Sequence, residues 1–158
     1  MPSALLLECS EILKKQKLTM SFAESATAGR LSAEFALIPH CGEILKGGIV
    51  CYDACIKQDL FGIPEELVKK YTPESAEVTK ELAERLGSVM KADIQTAVTG
   101  LTMPGGSETE EKPVGTMFIH TFIKGKSVAV REVFDGSPEE IVLQTIDRFA
   151  RLIIDELS

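Results

Sequence analysis

Leu18-Thr19-Met20-Ser21-Phe22-Ala23-Glu24-Ser25-Ala26-Thr27-Ala28-Gly29 joins a short apolar run to a turn of small and hydroxyl residues. Leu18 to Ala23 has the composition of a buried strand. After Gly29 the apolar positions Leu31, Phe35, Ala36 and Ile38 fall at helical spacing until Pro39 stops them. Strand, tight turn and helix in this order form the building unit of an open α/β sheet.

Upstream, Leu5, Leu6, Cys9, Ile12 and Leu13 predict a helix over Ser3 to Lys17 with one buried face. Downstream, Gly47-Gly48-Ile49-Val50-Cys51-Tyr52 reads as a second buried strand, Asp53 as the cap of a short helix through Leu60, and Glu65 to Lys70 as another. Thr72-Pro73-Glu74 resembles a helix start, with a hydroxyl N-cap, proline where no N–H is needed and an acid in the first turn. The helix that follows should reach Met90 with Val78, Leu82, Leu86 and Val89 inward. Ile94 to Val98 is a third strand, Leu101 to Pro113 a long polar loop, and Gly115–Ile123 with Ser127–Phe134 an antiparallel hairpin. Ser137-Pro138-Glu139-Glu140 is a capping box that opens a final helix to about Leu157. The expected fold is α/β: a three-layer α/β/α sandwich on a mixed, mostly parallel sheet, with a C-terminal β-hairpin and final helix.

The 158 residues suit one domain, 1–158, and 44% hydrophobic content is enough for a full core. With 24 acidic against 17 basic residues the net charge is −7, which opposes a charge-driven nucleic-acid binder; no nucleic-acid partner is expected. No apolar run approaches the ~20 residues of a membrane span, and Met1 to Lys17 lacks the pattern of a signal peptide. Cys9, Cys41, Cys51 and Cys55 read as reduced thiols of a cytoplasmic protein, and their spacing does not suit a metal site. With no Asn in the chain, positive-φ positions should fall mainly to the 12 glycines.

Three polar clusters fall where strands run into loops, the position at which α/β folds hold ligands. In Glu24-Ser25-Ala26-Thr27-Ala28-Gly29, Ser25 is either a nucleophile or anion holder, or Ser25 or Thr27 caps the helix. Tyr52 and Lys57 form the second cluster. A buried lysine beside a serine can act as its base, and an isolated one is a solvated helix residue. Thr99-Gly100 with Pro104-Gly105-Gly106 is either a close backbone approach to a ligand or a surface loop. Gly125-Lys126-Ser127 lacks the first glycine of a phosphate-binding loop, and His120 falls within a strand, where packing explains it.

These clusters, together with Glu111-Lys112-Pro113-Val114-Gly115-Thr116, resemble the C-terminal domain of the competence/damage-inducible protein CinA along nearly the whole chain, in a stand-alone form. The family includes nicotinamide-nucleotide amidohydrolases, which convert nicotinamide mononucleotide and water to nicotinate mononucleotide and ammonia. The resemblance implies a metal-independent, cofactor-free amide hydrolysis with Ser25 as nucleophile and with Lys57 and Tyr52 activating it or moving protons. Glu24, Thr27, Gly29, Gly48, Thr99, Gly100, Gly105 and Gly106 fall in its substrate-binding positions. It further implies a small-molecule nucleotide substrate, no membrane partner and a homo-oligomer. This chain departs from the family pattern at Ala26 and Ala28, at Thr102-Met103, and at Pro138 and Val142, where the family carries two arginines. The family also contains paralogues without the deamidase activity, so a catalytically degenerate nucleotide-binding or regulatory member is the alternative.

Overall fold

A computed structural model describes residues 1–158. The elements follow the chain as α1 (Ala4–Gln16), β1 (Met20–Glu24), α2 (Arg30–Ala36), β2 (Leu45–Val50), α3 (Ala54–Phe61), α4 (Glu65–Tyr71), α5 (Ala76–Val89), β3 (Ile94–Gly100), β4 (Thr116–Ile123), β5 (Lys126–Val133) and α6 (Pro138–Leu157). A short 3-10 turn, Cys41–Glu43, leads into β2. The five strands lie in the order β2-β1-β3-β4-β5. β1 pairs in parallel with both β2 and β3, and β3–β4 and β4–β5 are antiparallel, so β4 alone runs against the rest.

Alternation along the central strands divides the interior into two cores. Met20 and Phe22 of β1 and Ile94 and Val98 of β3 point to one face, where α1, α2 and α6 pack. Phe22, Phe35 and Phe149 meet there with ring centroids 5.4–6.0 Å apart. Ala23 and Ala97 point to the other face, against Phe61, Val78, Leu82 and Leu86 of α3 and α5. Two helical layers around one sheet give the expected α/β/α sandwich, and the antiparallel hairpin sits at its edge.

Most predicted elements form within a few residues of their expected bounds. Ser3 caps α1, the Asp53 side chain accepts from Cys55 N–H, and Ser137 with Glu140 forms a complete capping box on α6. The start of α5 differs. Thr72 adopts φ 73° and closes α4, and the N-cap is Ser75, whose Oγ accepts from Val78 N–H. A residue already committed to ending one helix cannot take the extended backbone of a cap for the next. Val89, the last residue of α5, is 48% exposed rather than inward. Positive φ is shared by seven glycines and by Lys17, Ala28, His40, Thr72 and Lys124, so the glycines carry only part of these turns.

Ser75→Ala should therefore lower stability by about 1 kcal/mol. Urea denaturation of the variant beside wild type measures it.

Candidate active site

The chain leaves β1 for β2 on one side and leaves β3 for β4 on the other, so the connections that follow these two neighbouring strands diverge. Crevices in open α/β sheets form at such a reversal of strand order. Here the crevice is a cleft of about 220 Å³, walled by Ser25 and Ala26 after β1, Tyr52 after β2, Glu74, and the loop from Gly100 to Gly106 after β3.

Ser25 is positioned from both sides. Its N–H donates to Val98 O across the β1–β3 seam, and its carbonyl accepts from Ala28 N–H. The turn is held by Glu24, which is fully buried and accepts from Thr27 Oγ1 (2.7 Å), Leu31 N–H (2.9 Å), Ser32 N–H (2.9 Å) and Ser32 Oγ (2.6 Å). Gly29 precedes α2 and has no side chain to cap it, so Glu24 satisfies the first-turn amides instead. Gly29 and Ala28 both have positive φ, 95° and 46°, and Ala28 bears the strain that a side chain meets there. The N–H groups of Ala26 and Thr27 donate to no protein acceptor.

Lys57, from α3, is 1% exposed. Its Nζ donates to Ser25 Oγ at 3.0 Å, to Cys51 O at 3.0 Å and to Tyr52 O at 3.5 Å. An ammonium has three N–H donors, and three oxygens receive them. A neutral amine fits the same cage, with two N–H groups on the carbonyls and the lone pair turned to the Ser25 hydroxyl. Burial pushes the lysine below its ordinary 10.5, against the opposing pull of Cys51, Glu74 and Asp53.

The other predicted site residues separate into two groups. Gly100, Gly105 and Gly106 line the cleft with Ser25 and Tyr52. Tyr52 reaches Lys57 through its carbonyl, and its 58%-exposed side chain makes no hydrogen bond to Ser25 or Lys57. Glu24 and Thr27 are engaged with each other and with α2. Thr99 Oγ1 pairs with Thr79 Oγ1 at 2.8 Å beneath the cleft. Gly48 packs on Ser32, whose Oγ lies 2.1 Å from where a Cβ would stand, and Gly29 abuts Val50; neither is in the cleft wall. The bonds and packing of these five shape the scaffold of the site, and Thr27 also lines a second lobe beside the cleft.

Two residues take a part at the site that their sequence context does not announce. Glu74 reaches the cleft and accepts from Ser107 Oγ. Lys112 donates to Thr72 Oγ1 (2.6 Å), Glu74 O (2.8 Å) and Ser107 Oγ (3.0 Å), tying the loop from Leu101 to Pro113 to the start of α5. In sequence Lys112 stands within the Glu111–Thr116 stretch; only its three acceptors reveal the strap. Gly105 N–H donates to Glu108 at 2.8 Å, which draws that glycine loop closed on itself. His120 is buried in β4, 2.7 Å from Ser127 Oγ and against Phe122, outside the cleft. All four cysteines are free, and burial raises Cys51 and pushes Cys9 up to about 12. No group of three His, Cys, Asp or Glu side chains is placed to hold a metal ion. No helix is long and apolar enough to cross a membrane.

A buried lysine against a hydroxyl at the switch point of a mixed sheet defines a Ser–Lys α/β protein. The sequence matches the CinA C-terminal domain over residues 3–157, and the chain belongs to that family. It is 36% identical over 130 residues to a CinA-like protein of Thermotoga neapolitana, covering 82% of this chain and 31% of that one. It is 40% identical over 151 residues to a CinA-like protein of Prochlorococcus marinus, covering 90% and 35%. The chain thus spans about a third of the length of these curated relatives. Among solved structures, the competence or damage-inducible protein from Enterobacter asburiae superposes with a TM-score of 0.90 at 23% identity, covering 98% of this chain and 96% of that one. A CinA superfamily protein from Escherichia coli gives 0.87 at 25%, covering 98% and 88%.

Two outcomes follow from this geometry. A lysine depressed by folding means that the unfolded chain binds more protons between the folded value and 10.5, so stability rises with pH across that window. Lys57→Met should remove this contribution, seen as a shallower alkaline slope in denaturation curves taken at several pH values. Lys112→Met should speed hydrogen exchange of the amides from Thr102 to Gly106 and leave β1 and β3 protected.

Proposed function

We propose that this chain is an amide hydrolase acting on nicotinamide mononucleotide, releasing ammonia and nicotinate mononucleotide. The observation that supports it is the 3.0 Å contact between Lys57 Nζ and Ser25 Oγ at the edge of the cleft, with the lysine buried and its proton affinity lowered. Family membership supports the same chemistry class.

In this reading the neutral Lys57 amine takes the Ser25 proton as Oγ attacks the carboxamide carbon. The oxyanion that forms is received by the unpaired N–H groups after Ser25. Lys57 passes its proton to the departing nitrogen, the C–N bond breaks, and ammonia leaves an ester on Ser25. Water then attacks that ester, Lys57 takes its proton and returns one to Ser25 Oγ, and the carboxylate product departs. The Cys51 and Tyr52 carbonyls hold the amine in both protonation states, so the base does not reorient between steps. A small-molecule substrate and a homo-oligomer belong to this same proposal.

A second reading, a nucleotide-binding member without deamidase activity, draws on Pro138 and Val142. Both line a lobe next to the cleft and offer it no charge.

Purified protein should release ammonia from nicotinamide mononucleotide. Ser25→Ala should abolish this, and Lys57→Ala should lower kcat by about 10²–10⁴-fold, the usual contribution of a positioned base. The rate should rise with pH as Lys57 loses its proton, with a midpoint below 10.5. Binding of the nucleotide with no ammonia release at high enzyme concentration would favour the second reading.

A further inference from the structure

The cleft beside Ser25 continues into a second lobe of about 290 Å³, and the two share Ala26, Tyr52, Thr102 and Met103. Either lobe alone is small for a nucleotide, and the two joined fall within the ~300–1,000 Å³ common for ligand sites. The outer lobe lies between the start of α2, with Ala28 and Arg30, and the start of α6, with Pro138, Glu139 and Val142.

Arg30 is the one cation lining either lobe, set against Glu74 and Glu139. Neighbouring cations are engaged elsewhere. Lys57 and Lys112 each place their three donors on three protein oxygens. Arg131 donates to the Glu111 carbonyl, lies over the Phe118 ring at 5.8 Å, and is outside both lobes. Arg30 has capacity left. Its Nη1 donates to Glu139 at 3.1 Å, its Nε sits 3.5 Å from Glu34, and its Nη2 makes no hydrogen bond. The Glu139 side chain is 69% exposed, so its hold on the guanidinium is weak and water can replace it.

We propose that Arg30 is the phosphate-binding residue of this groove: its guanidinium takes the phosphate monoester of a nucleotide whose amide lies at Ser25, and the ligand's oxygens displace Glu139. The guanidinium fork matches two phosphate oxygens at once, an arrangement a single carboxylate oxygen of Glu139 does not provide. In a chain of net charge −7, one local cation at the mouth of the groove separates nucleotides from nucleosides. Glu139 acts as a resident counter-ion that competes with the ligand. The assignment rests on the reading of Ser25 and Lys57 as an amide-hydrolysing pair, and its test separates the two.

Calorimetric titration with nicotinamide mononucleotide and with nicotinamide riboside, which differ only in the phosphate, provides that test, with ammonia release measured in parallel. Wild type should bind the mononucleotide at least about tenfold more tightly, the scale of one charge-assisted contact. Arg30→Met should remove that difference and leave riboside affinity within about twofold, Arg30→Lys should restore part of it, and Glu139→Gln should tighten mononucleotide binding. Equal loss for both ligands in Arg30→Met, no loss for either, or no binding by wild type would overturn the assignment. Arg30-dependent binding without ammonia release would sustain the phosphate site and overturn the hydrolase reading. Ammonia release with KM unchanged in Arg30→Met would do the reverse.

Discussion

Glu24 carries the arrangement at the end of β1. A fully buried carboxylate must have its oxygens occupied by donors, and here four donors do so, all from Thr27 and the first turn of α2. Those bonds close the turn from Ser25 to Gly29 and fix where α2 begins. They thereby hold Ser25 at the seam between β1 and β3, where its hydroxyl meets Lys57. The residue adjoining Ser25 works as the anchor of the turn.

Around that anchor the site is assembled from four separate segments. β1 delivers Ser25, the segment after β2 delivers the carbonyls of Cys51 and Tyr52, α3 delivers Lys57, and the loop after β3 closes the cleft with glycines. The two carbonyls let the lysine be buried with all its donors satisfied, and burial is what lowers its proton affinity. Lys112 performs a mechanical counterpart, drawing the polar loop onto the start of α5. A low-dielectric seat for the lysine and a tethered loop over the serine are separate devices that serve one cleft.

Much of the architecture was legible in the sequence because it rests on local signals. Apolar spacing marked α1, α2 and α5, alternation marked the hairpin, and Ser137 with Glu140 announced α6. Where two local signals competed, the reading failed: Thr72-Pro73 looked like a helix start, and Thr72 ended the preceding helix instead. Gly48 and Thr99, which the resemblance puts at the substrate, have contacts with Ser32 and Thr79 that no local pattern announces. The contacts of Lys112 and Glu74 with Thr72 and Ser107 are not legible in the sequence, because those partners lie 40 and 33 residues away along the chain.

Composition and periodicity by themselves determined a layered α/β domain with a C-terminal hairpin, and the shared motifs pointed to the family and to Ser25 and Lys57. Only the tertiary structure decided that the two side chains touch, that Glu24 faces the helix rather than the cleft, and that Arg30 shares a groove with Pro138 and Val142. The physical reason is that hydrogen bonds and burial depend on positions in space. The lysine and the serine are 32 residues apart, and no periodicity within either segment encodes the fold that brings them to 3.0 Å.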